Sequence, residues 1–79
     1  MKARVFVTLK SGVLDPQGEA VRHALGTLGF DGVEAVRQGK VIDLHLTETD
    51  AEKAKRDIKK MCEKLLANTV IEDYSVELL

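Results

Sequence analysis

Hydrophobic and polar positions alternate along the first part of the chain, from Lys2 to Lys10. The apolar positions of this alternation are Ala3, Val5, Val7 and Leu9. A period of two residues is typical of a β-strand that is buried on one side. Phe6 is the large apolar residue among the polar positions. The pattern therefore predicts a strand over Lys2–Lys10 whose outer face is partly apolar.

The apolar residues change to a helical spacing after a corner that runs from Lys10 to Gly18. Asp15 followed by Pro16 favours a helix start, because aspartate accepts hydrogen bonds from free amides and proline has no amide to leave unpaired. Gly29 can end the helix in the left-handed conformation. The sequence thus predicts a helix over Pro16–Leu28, with an apolar stripe formed by Val21, Ala24, Leu25 and Leu28.

Two short strands are predicted next, over Val33–Gln38 and Val41–Thr47, with a hairpin bend at Gly39 and Lys40 between them. Alternation in the second of these strands predicts an aliphatic face directed at the helices. That face consists of Ile42, Leu44 and Leu46.

A second helix is predicted from Asp50 to about Ala67, because its apolar residues again recur at threes and fours. Those residues are Ala51, Ala54, Ile58, Met61, Cys62 and Leu65. Thr49 and Glu52 have the spacing of a capping box, in which each side chain bonds to the other's backbone amide. A final alternating segment predicts a strand over Val70–Leu78.

This β-α-β-β-α-β order predicts an α+β fold with two helices on one face of a four-stranded antiparallel sheet, the ferredoxin-like arrangement, in a single domain spanning residues 1–79. No helix is left to cover the other face of the sheet. We interpret that face as a homo-oligomer surface, with Phe6, Val36, Val41 and Ile71 as its candidate residues. The alternative is that these are scattered exposed apolar side chains, which are ordinary on monomers.

Charge and composition narrow the class of protein. The chain has 12 basic and 13 acidic residues in short mixed runs, a net charge of -1, which argues against an electrostatic nucleic-acid binder. The single cysteine cannot form an intramolecular disulfide, and no apolar run has membrane length, so a cytoplasmic protein is predicted. A chain of 79 residues buries a small core, which favours self-association.

The residues offer no recognisable catalytic, cofactor or metal site. The Gly12 to Gly18 stretch lacks the Lys-Ser/Thr pair of a phosphate-binding loop. His45 shares a strand face with Asp43 but has no nucleophile beside it, and His23 lies opposite the apolar stripe of its helix. Cys62 falls in the apolar register of the second helix, where a buried thiol is inert. The basic residues of that helix are interpreted as a solvated face, with docking to an acidic partner as the alternative.

Several strings of the sequence closely resemble the PurS family, the small subunit of bacterial and archaeal phosphoribosylformylglycinamidine synthase. The strings that carry the resemblance are Val7-Thr-Leu-Lys10, Gly12-Val-Leu-Asp-Pro-Gln-Gly18, Leu28-Gly-Phe30, Gly32-Val33, Val36-Arg37-x-Gly39-Lys40 and Ile71-Glu-Asp-Tyr74. The similarity extends over essentially the whole chain. It implies a PurS-like version of the fold.

The resemblance implies a non-catalytic subunit in purine biosynthesis that bridges a glutaminase subunit and an ATP-dependent synthetase subunit and assists ammonia transfer. Homo-oligomerisation as a dimer or tetramer is implied as well. ATP and Mg are then expected on the large synthetase subunit, and no cofactor, nucleic acid or membrane is expected on this chain. The candidate partner-contact residues are Lys10, Gly12, Asp15, Pro16, Gln17, Arg37 and Lys40.

A second hypothesis is a regulatory module of the ACT kind, in which the glycine-containing loop after the first strand binds a small effector. Micromolar binding of an amino acid or a nucleotide, abolished by Gly12→Val, would favour it.

Overall fold

β1 (Lys2–Leu9) is the central strand of the sheet in a computed structural model, which describes residues 1–79. It is flanked by β2 (Gly39–His45) on one side and β3 (Glu72–Leu78) on the other, both antiparallel to it. The helices are α1 (Pro16–Thr27) and α2 (Ala51–Met61), and a π-helical turn, Cys62–Leu66, continues α2. The order β2-β1-β3 leaves β2 and β3 as open edges.

The sheet has three strands, so the prediction of four was wrong. The predicted strand over Val33–Gln38 is extended chain without strand pairing. The reason is the register of β2, which begins at Gly39 and pairs Gly39 with Thr8 and Lys40 with Val7. Because the predicted bend residues belong to the β1–β2 ladder, they cannot turn the chain back, and the segment before them has no neighbouring strand.

The core lies between the sheet and α2. The buried hydrophobic residues come from β1, α2 and the chain just after α2, namely Ala3, Val5, Val7, Ala54, Ile58, Cys62 and Ala67. Side chains of β2 and β3 on the same face are partly buried against this core. None of the helices is both long and apolar enough to span a bilayer.

The π-helical turn changes which residues face the core at the end of α2. The Ala67 N–H donates to the Cys62 carbonyl oxygen over 2.9 Å, an i to i+5 hydrogen bond. One more residue per turn means that Leu66 becomes the next inward residue after Cys62. Leu66 is half-buried, whereas Leu65, predicted to lie in the apolar stripe, is 83% exposed.

The capping box predicted for α2 is also wrong in detail. Asp50 is the cap, and its Oδ1 accepts from the Glu52 and Lys53 backbone N–H groups at 3.0 and 3.5 Å. Thr49 donates its own N–H to Glu48. An aspartate next to the predicted threonine caps equally well, so the helix start shifts by a single residue.

α1 projects away from the sheet instead of covering it beside α2. It makes no extensive contact with either the sheet or α2. In its apolar stripe, Val21 and Leu25 are half-buried, whereas Ala24 and Leu28 are exposed. The chain measures 49 × 24 × 14 Å with a radius of gyration of 16.0 Å, against about 12 Å for a compact domain of this length. The prediction that both helices cover one sheet face therefore holds for α2 alone.

Candidate functional site

The corner between β1 and α1 begins with a tight turn. The Val13 N–H donates to the Lys10 carbonyl oxygen over 3.1 Å, and Gly12 has φ +86°. This left-handed conformation is inexpensive only for glycine. The turn thereby fixes the direction in which the chain leaves the sheet towards α1.

Asp15 joins the two chain segments that connect α1 to the sheet, residues 10–15 and 36–38. These two segments are called the neck, and residues 16–35 beyond them are called the α1 arm. Asp15 Oδ1 accepts the Gly18 N–H over 2.8 Å, which caps α1 as predicted. Its Oδ2 accepts the Gln38 N–H over 2.9 Å. One carboxylate therefore joins the residue just before α1 to the residue just before β2. Sequence reasoning found the cap but not the second bond, because nothing local indicates a contact between positions 15 and 38.

These hydrogen bonds lower the pKa of the Asp15 carboxyl below its usual range. The bond from the Gln38 backbone N–H is the main cause, followed by the bond from Gly18, and the charge of Arg37 contributes less. Hydrogen bonds that donate to a carboxylate stabilise its ionised form. Asp15 is thus a fixed anion at neutral pH.

Gly18 allows the returning chain to lie directly against the first turn of α1. A Cβ on Gly18 would lie 2.7 Å from Asp15 Oδ2, and closer still to the Val36 carbonyl oxygen. Neither neighbour is a flexible side-chain end that could move away easily, since the Val36 atom is backbone and Asp15 is held by its hydrogen bonds. Gly18 is accordingly the buried residue of α1.

A polar cleft of about 250 Å³ opens where the neck meets the sheet. The residues that line it are Val7, Leu9, Asp15, Gln17, Gln38, Gly39, Lys40 and Glu72. Lys40 Nζ lies 3.9 Å from Glu72 Oε2. The cleft thus combines two carboxylates, two side-chain amides and one ammonium group, a set suited to hydrogen bonding with a polar partner surface.

Asp15 also lines a second, more open hollow of about 440 Å³. It contains Gly12 and Arg37 together with the first turn of α1. Five of the seven candidate partner-contact residues therefore gather around the neck, namely Gly12, Asp15, Gln17, Arg37 and Lys40. The two others lie outside both hollows: Lys10 pairs with Asp73 over 3.1 Å, and Pro16 is exposed at the first position of α1.

Two cleft residues, Gln38 and Glu72, were missed by sequence reasoning. Gln38 was assigned to the end of a strand that does not form. The Glu72 carboxylate accepts the Asn68 N–H over 2.7 Å, and this hydrogen bond holds the Glu72 side chain against the start of β3. The only signal that could have found them is the pairing register, which places the starts of β2 and β3 on either side of the end of β1.

The four candidate residues of the homo-oligomer face do not form one patch. Phe6 and Val41 are direct cross-strand neighbours on the uncovered sheet face, 37% and 59% exposed. Ile71 precedes β3, just beyond the end of β1, and its carbonyl accepts the Lys10 N–H. Val36 is not on the sheet at all, because its segment runs beside Gly18.

The other residues singled out in the sequence lie on the sheet, in the core and on α1. Asp43 forms an ion pair with Arg4 over 2.8 Å, and this hydrogen bond is the main reason why the pKa of the Asp43 carboxyl is lowered. Its carboxylate is therefore held by an arginine and is not free to act with His45. Cys62 is buried, and that burial raises the pKa of its thiol. His23 is exposed on α1.

Comparison with known protein families shows to which family the chain belongs. The family model described as PurS, phosphoribosylformylglycinamidine (FGAM) synthase, matches residues 2–79. The chain belongs to the PurS family. The PurS subunit of Bacillus subtilis is 52% identical over 80 residues, covering 96% of this chain and 89% of the relative. That of Methanocaldococcus jannaschii is 45% identical over 76 residues, covering 96% and 92%.

Solved PurS structures have the same fold. The B. subtilis PurS structure superposes with a TM-score of 0.86 at 51% identity and covers 96% of this chain and 94% of that one. A chain of the PurLQS structure from Thermotoga maritima gives 0.88 at 38% identity and covers 99% and 95%. As a PurS-family member, the chain is a subunit of FGAM synthase, an enzyme of purine biosynthesis. The resemblance inferred from the corner motif is thus confirmed.

Proposed function

We propose that the chain acts as the non-catalytic bridging subunit of FGAM synthase in the cytoplasm, as one PurS-like domain of residues 1–79. In this role it holds a glutaminase subunit and an ATP-dependent synthetase subunit together and assists the transfer of ammonia between them. The observation that supports this most is the pair of hydrogen bonds from Gly18 and Gln38 to Asp15, the Asp15 clamp, which fixes the backbone beside the candidate partner-contact residues.

The neck suits protein docking because its backbone is fixed before any partner arrives. The left-handed Gly12 turn, the proline at the start of α1 and the two bonds to Asp15 hold the surrounding side chains in place. Preorganisation lowers the entropy lost on association. Gln17 and Lys40 line the cleft, where hydrogen bonds to a partner would give specificity.

The chemistry of the complex is assigned to its other subunits in this proposal. ATP and Mg bind to the large synthetase subunit, and glutamine is hydrolysed by the glutaminase subunit. In this proposal the chain binds neither ATP nor Mg and hydrolyses no glutamine. Its contribution is to position the two catalytic subunits relative to each other.

Self-association is the second part of the proposal. α1 leaves the sheet with its apolar stripe only partly covered, and a helix of 12 residues is marginal in water without tertiary packing. Burying that surface against another copy, as a dimer or larger, would supply the missing stabilisation.

The test is reconstitution of the complex from purified subunits. Gln17→Ala and Lys40→Ala should lower glutamine-dependent FGAM synthesis by about tenfold or more, since interface truncations of this kind cost about 1–2 kcal/mol each. Activity driven by added ammonium chloride should change much less, because it needs no transfer between subunits. Lys55→Ala, an exposed lysine of α2, is the matched control. Full glutamine-dependent activity without this chain would refute the bridging role.

A further inference from the structure

The Glu72 carboxylate in the polar cleft at the neck is incompletely paired. Its side chain is only 15% exposed. Oε1 accepts the Asn68 N–H over 2.7 Å, whereas the ammonium group nearest to Oε2, that of Lys40, lies at 3.9 Å, beyond hydrogen-bond distance. A carboxylate so far removed from water is normally paired with a cation that also donates hydrogen bonds to it. Glu72 Oε2 is therefore placed to accept from a further donor.

The charge of the cleft favours a cation as that donor. Asp15 and Glu72 line the cleft, and Lys40 is the one basic residue in its wall, so the lining carries one net negative charge. The Lys40 side chain is itself 61% exposed, and its ammonium group is strongly hydrated. Lys40 therefore leaves much of the negative charge of the cleft available to a visiting cation.

Both carboxylates of the cleft are fixed before anything binds. Asp15 is held by the amides of Gly18 and Gln38. Glu72 is held at both ends by Asn68, because the Glu72 N–H donates to the Asn68 carbonyl oxygen over 2.7 Å and the Glu72 side chain accepts the Asn68 N–H. Little side-chain entropy is then lost when a ligand pairs with these groups.

The size and lining of the cleft suit one arginine side chain. Its volume of about 250 Å³ is below the range of about 300–1,000 Å³ in which drug-sized ligands bind. Buried Val7 and half-buried Leu9 line it and can contact an apolar stem. A guanidinium group has five N–H donors in one plane and can bond to a carboxylate and to the side-chain carbonyls of Gln17 and Gln38. An ammonium group has only three donors.

The chain does not fill the cleft with an arginine of its own. It has four arginines, and none of them lines the cleft. Arg4 pairs with Asp43 and Arg22 with Glu19, while Arg37 lines the other hollow and Arg56 is an exposed residue of α2. The cation must therefore come from another molecule.

From these observations we infer that the cleft receives a single arginine side chain from one of the two catalytic subunits. The guanidinium group bonds to Glu72 Oε2, and the stem of the arginine lies on Val7 and Leu9. This contact rests on the bridging role proposed above and specifies the chemistry by which the neck recognises its partner.

A capped amino acid tests the cleft without any other subunit. Nα-acetylarginine amide should bind the chain with a dissociation constant on the order of millimolar and shift the amide NMR signals of Gln38, Gly39 and Glu72. Nα-acetylcitrulline amide has nearly the same shape but no charge, so it should bind at least about tenfold more weakly. Equal binding of the two compounds, or no binding of the arginine compound, overturns the inference.

Glu72→Gln separates the charge of this residue from its structural bond. Glutamine keeps an oxygen that accepts the Asn68 N–H, so the start of β3 should stay folded, which an unchanged amide exchange rate at Asn68 verifies. The variant should bind the arginine compound about tenfold more weakly or worse. Glu77→Gln is the matched control, because it removes the same charge from an exposed residue of the same strand that lies outside the cleft. Undiminished binding to Glu72→Gln overturns the inference.

Assembly of the complex tests where the arginine comes from. Glu72→Gln should raise the dissociation constant of the chain from the two catalytic subunits by about tenfold or more, measured by sedimentation velocity, and should make it less dependent on salt. Glu77→Gln should bind like wild type. An unchanged dissociation constant overturns the inference, and so does an effect of Glu72→Gln on self-association alone, because the cation would then belong to a second copy.

Failure of this contact and failure of the bridging role give different results. A wild-type chain that can be omitted without loss of glutamine-dependent synthesis refutes the bridging role. A chain that is required for that synthesis, but whose assembly is insensitive to Glu72→Gln, refutes only the arginine contact.

Discussion

Asp15 and Gln38, which are 23 positions apart in the chain, are joined by a hydrogen bond from the Gln38 N–H to Asp15 Oδ2 over 2.9 Å. The Gly18 N–H occupies the other oxygen of the same carboxylate. Asp15→Asn keeps the shape of the side chain but replaces one acceptor oxygen by an NH₂ group, so one of the two amides must lose its partner. We expect faster amide exchange at Gln38 or Gly18 and a lower unfolding temperature. Glu34→Gln, which removes one charge from an exposed residue of the same arm, should have little effect.

The same clamp predicts a pH dependence. The pKa of Asp15 is lower in the folded chain than in the unfolded chain, so ionised Asp15 stabilises the fold above its unfolded pKa of about 3.9. This contribution should disappear as the pH falls through that value towards the lower folded pKa. The difference in unfolding temperature between wild type and Asp15→Asn should therefore be largest near neutral pH and shrink in acid. A constant difference across this range would contradict the assignment.

Two glycines of α1 should respond to alanine in opposite directions. A Cβ at Gly18 collides with the Val36 carbonyl oxygen and the Asp15 carboxylate, whereas a Cβ at Gly26 meets nothing within 4 Å. Gly18→Ala should destabilise the fold by about 1–3 kcal/mol, and Gly26→Ala should stabilise it by up to about 1 kcal/mol through helix propensity. Denaturant unfolding measures both. Equal effects would show that the neck is not tightly packed.

Tyr74 provides a spectroscopic test of the packing under the π turn. It is the only tyrosine of the chain, and there is no tryptophan. Burial raises the pKa of Tyr74, and Glu63 adds to the rise. An absorbance titration should therefore give a midpoint above the usual value of about 10, and Glu63→Gln should move it part of the way back. Glu77→Gln, on the opposite face of β3, should leave it unchanged.

Thiol reactivity tests which residues the π turn directs towards the core. Cys62 is buried and its thiol pKa is raised, so alkylation should require opening of the fold. We expect iodoacetamide to react with it on the order of a hundredfold more slowly than with a cysteine at position 65 in a Cys62→Ala chain. Comparable rates would mean that the end of α2 is an ordinary α-helix.

Much of the local structure could be predicted from the sequence. Alternation located β1 and β3, and Asp15, Pro16 and Gly29 located the ends of α1 to within a residue or two. These signals succeed because a strand period or a helix cap depends on residues close together in the chain. Five of the seven candidate partner-contact residues lie around the neck, and their role in partner contact stays a prediction.

The remainder depends on contacts between distant residues, which a single sequence does not display. Val33–Gln38 has the composition of a strand, yet a strand needs a neighbour, and the pairing of Gly39 with Thr8 removes the only hairpin available. The apolar stripe of α1 predicts that this face of the helix is buried, but it does not indicate which surface covers it. For the same reason, Gln38 at the neck was missed.

An apolar groove of about 410 Å³ lies between the end of α2 and β2, lined by Leu44, Met61, Leu65 and Leu66. The π turn at Cys62–Leu66 has a consequence for how this groove could be gained or lost. In an uninterrupted α-helix, Leu65 would follow Ile58 and Cys62 onto the buried face and would leave no wall for the groove. One additional residue in the turn places it outside. Deletion of one residue between positions 63 and 66 should therefore close the groove while preserving its composition. The availability of this surface is set by the number of residues in one turn, so it can change by a single-codon insertion or deletion.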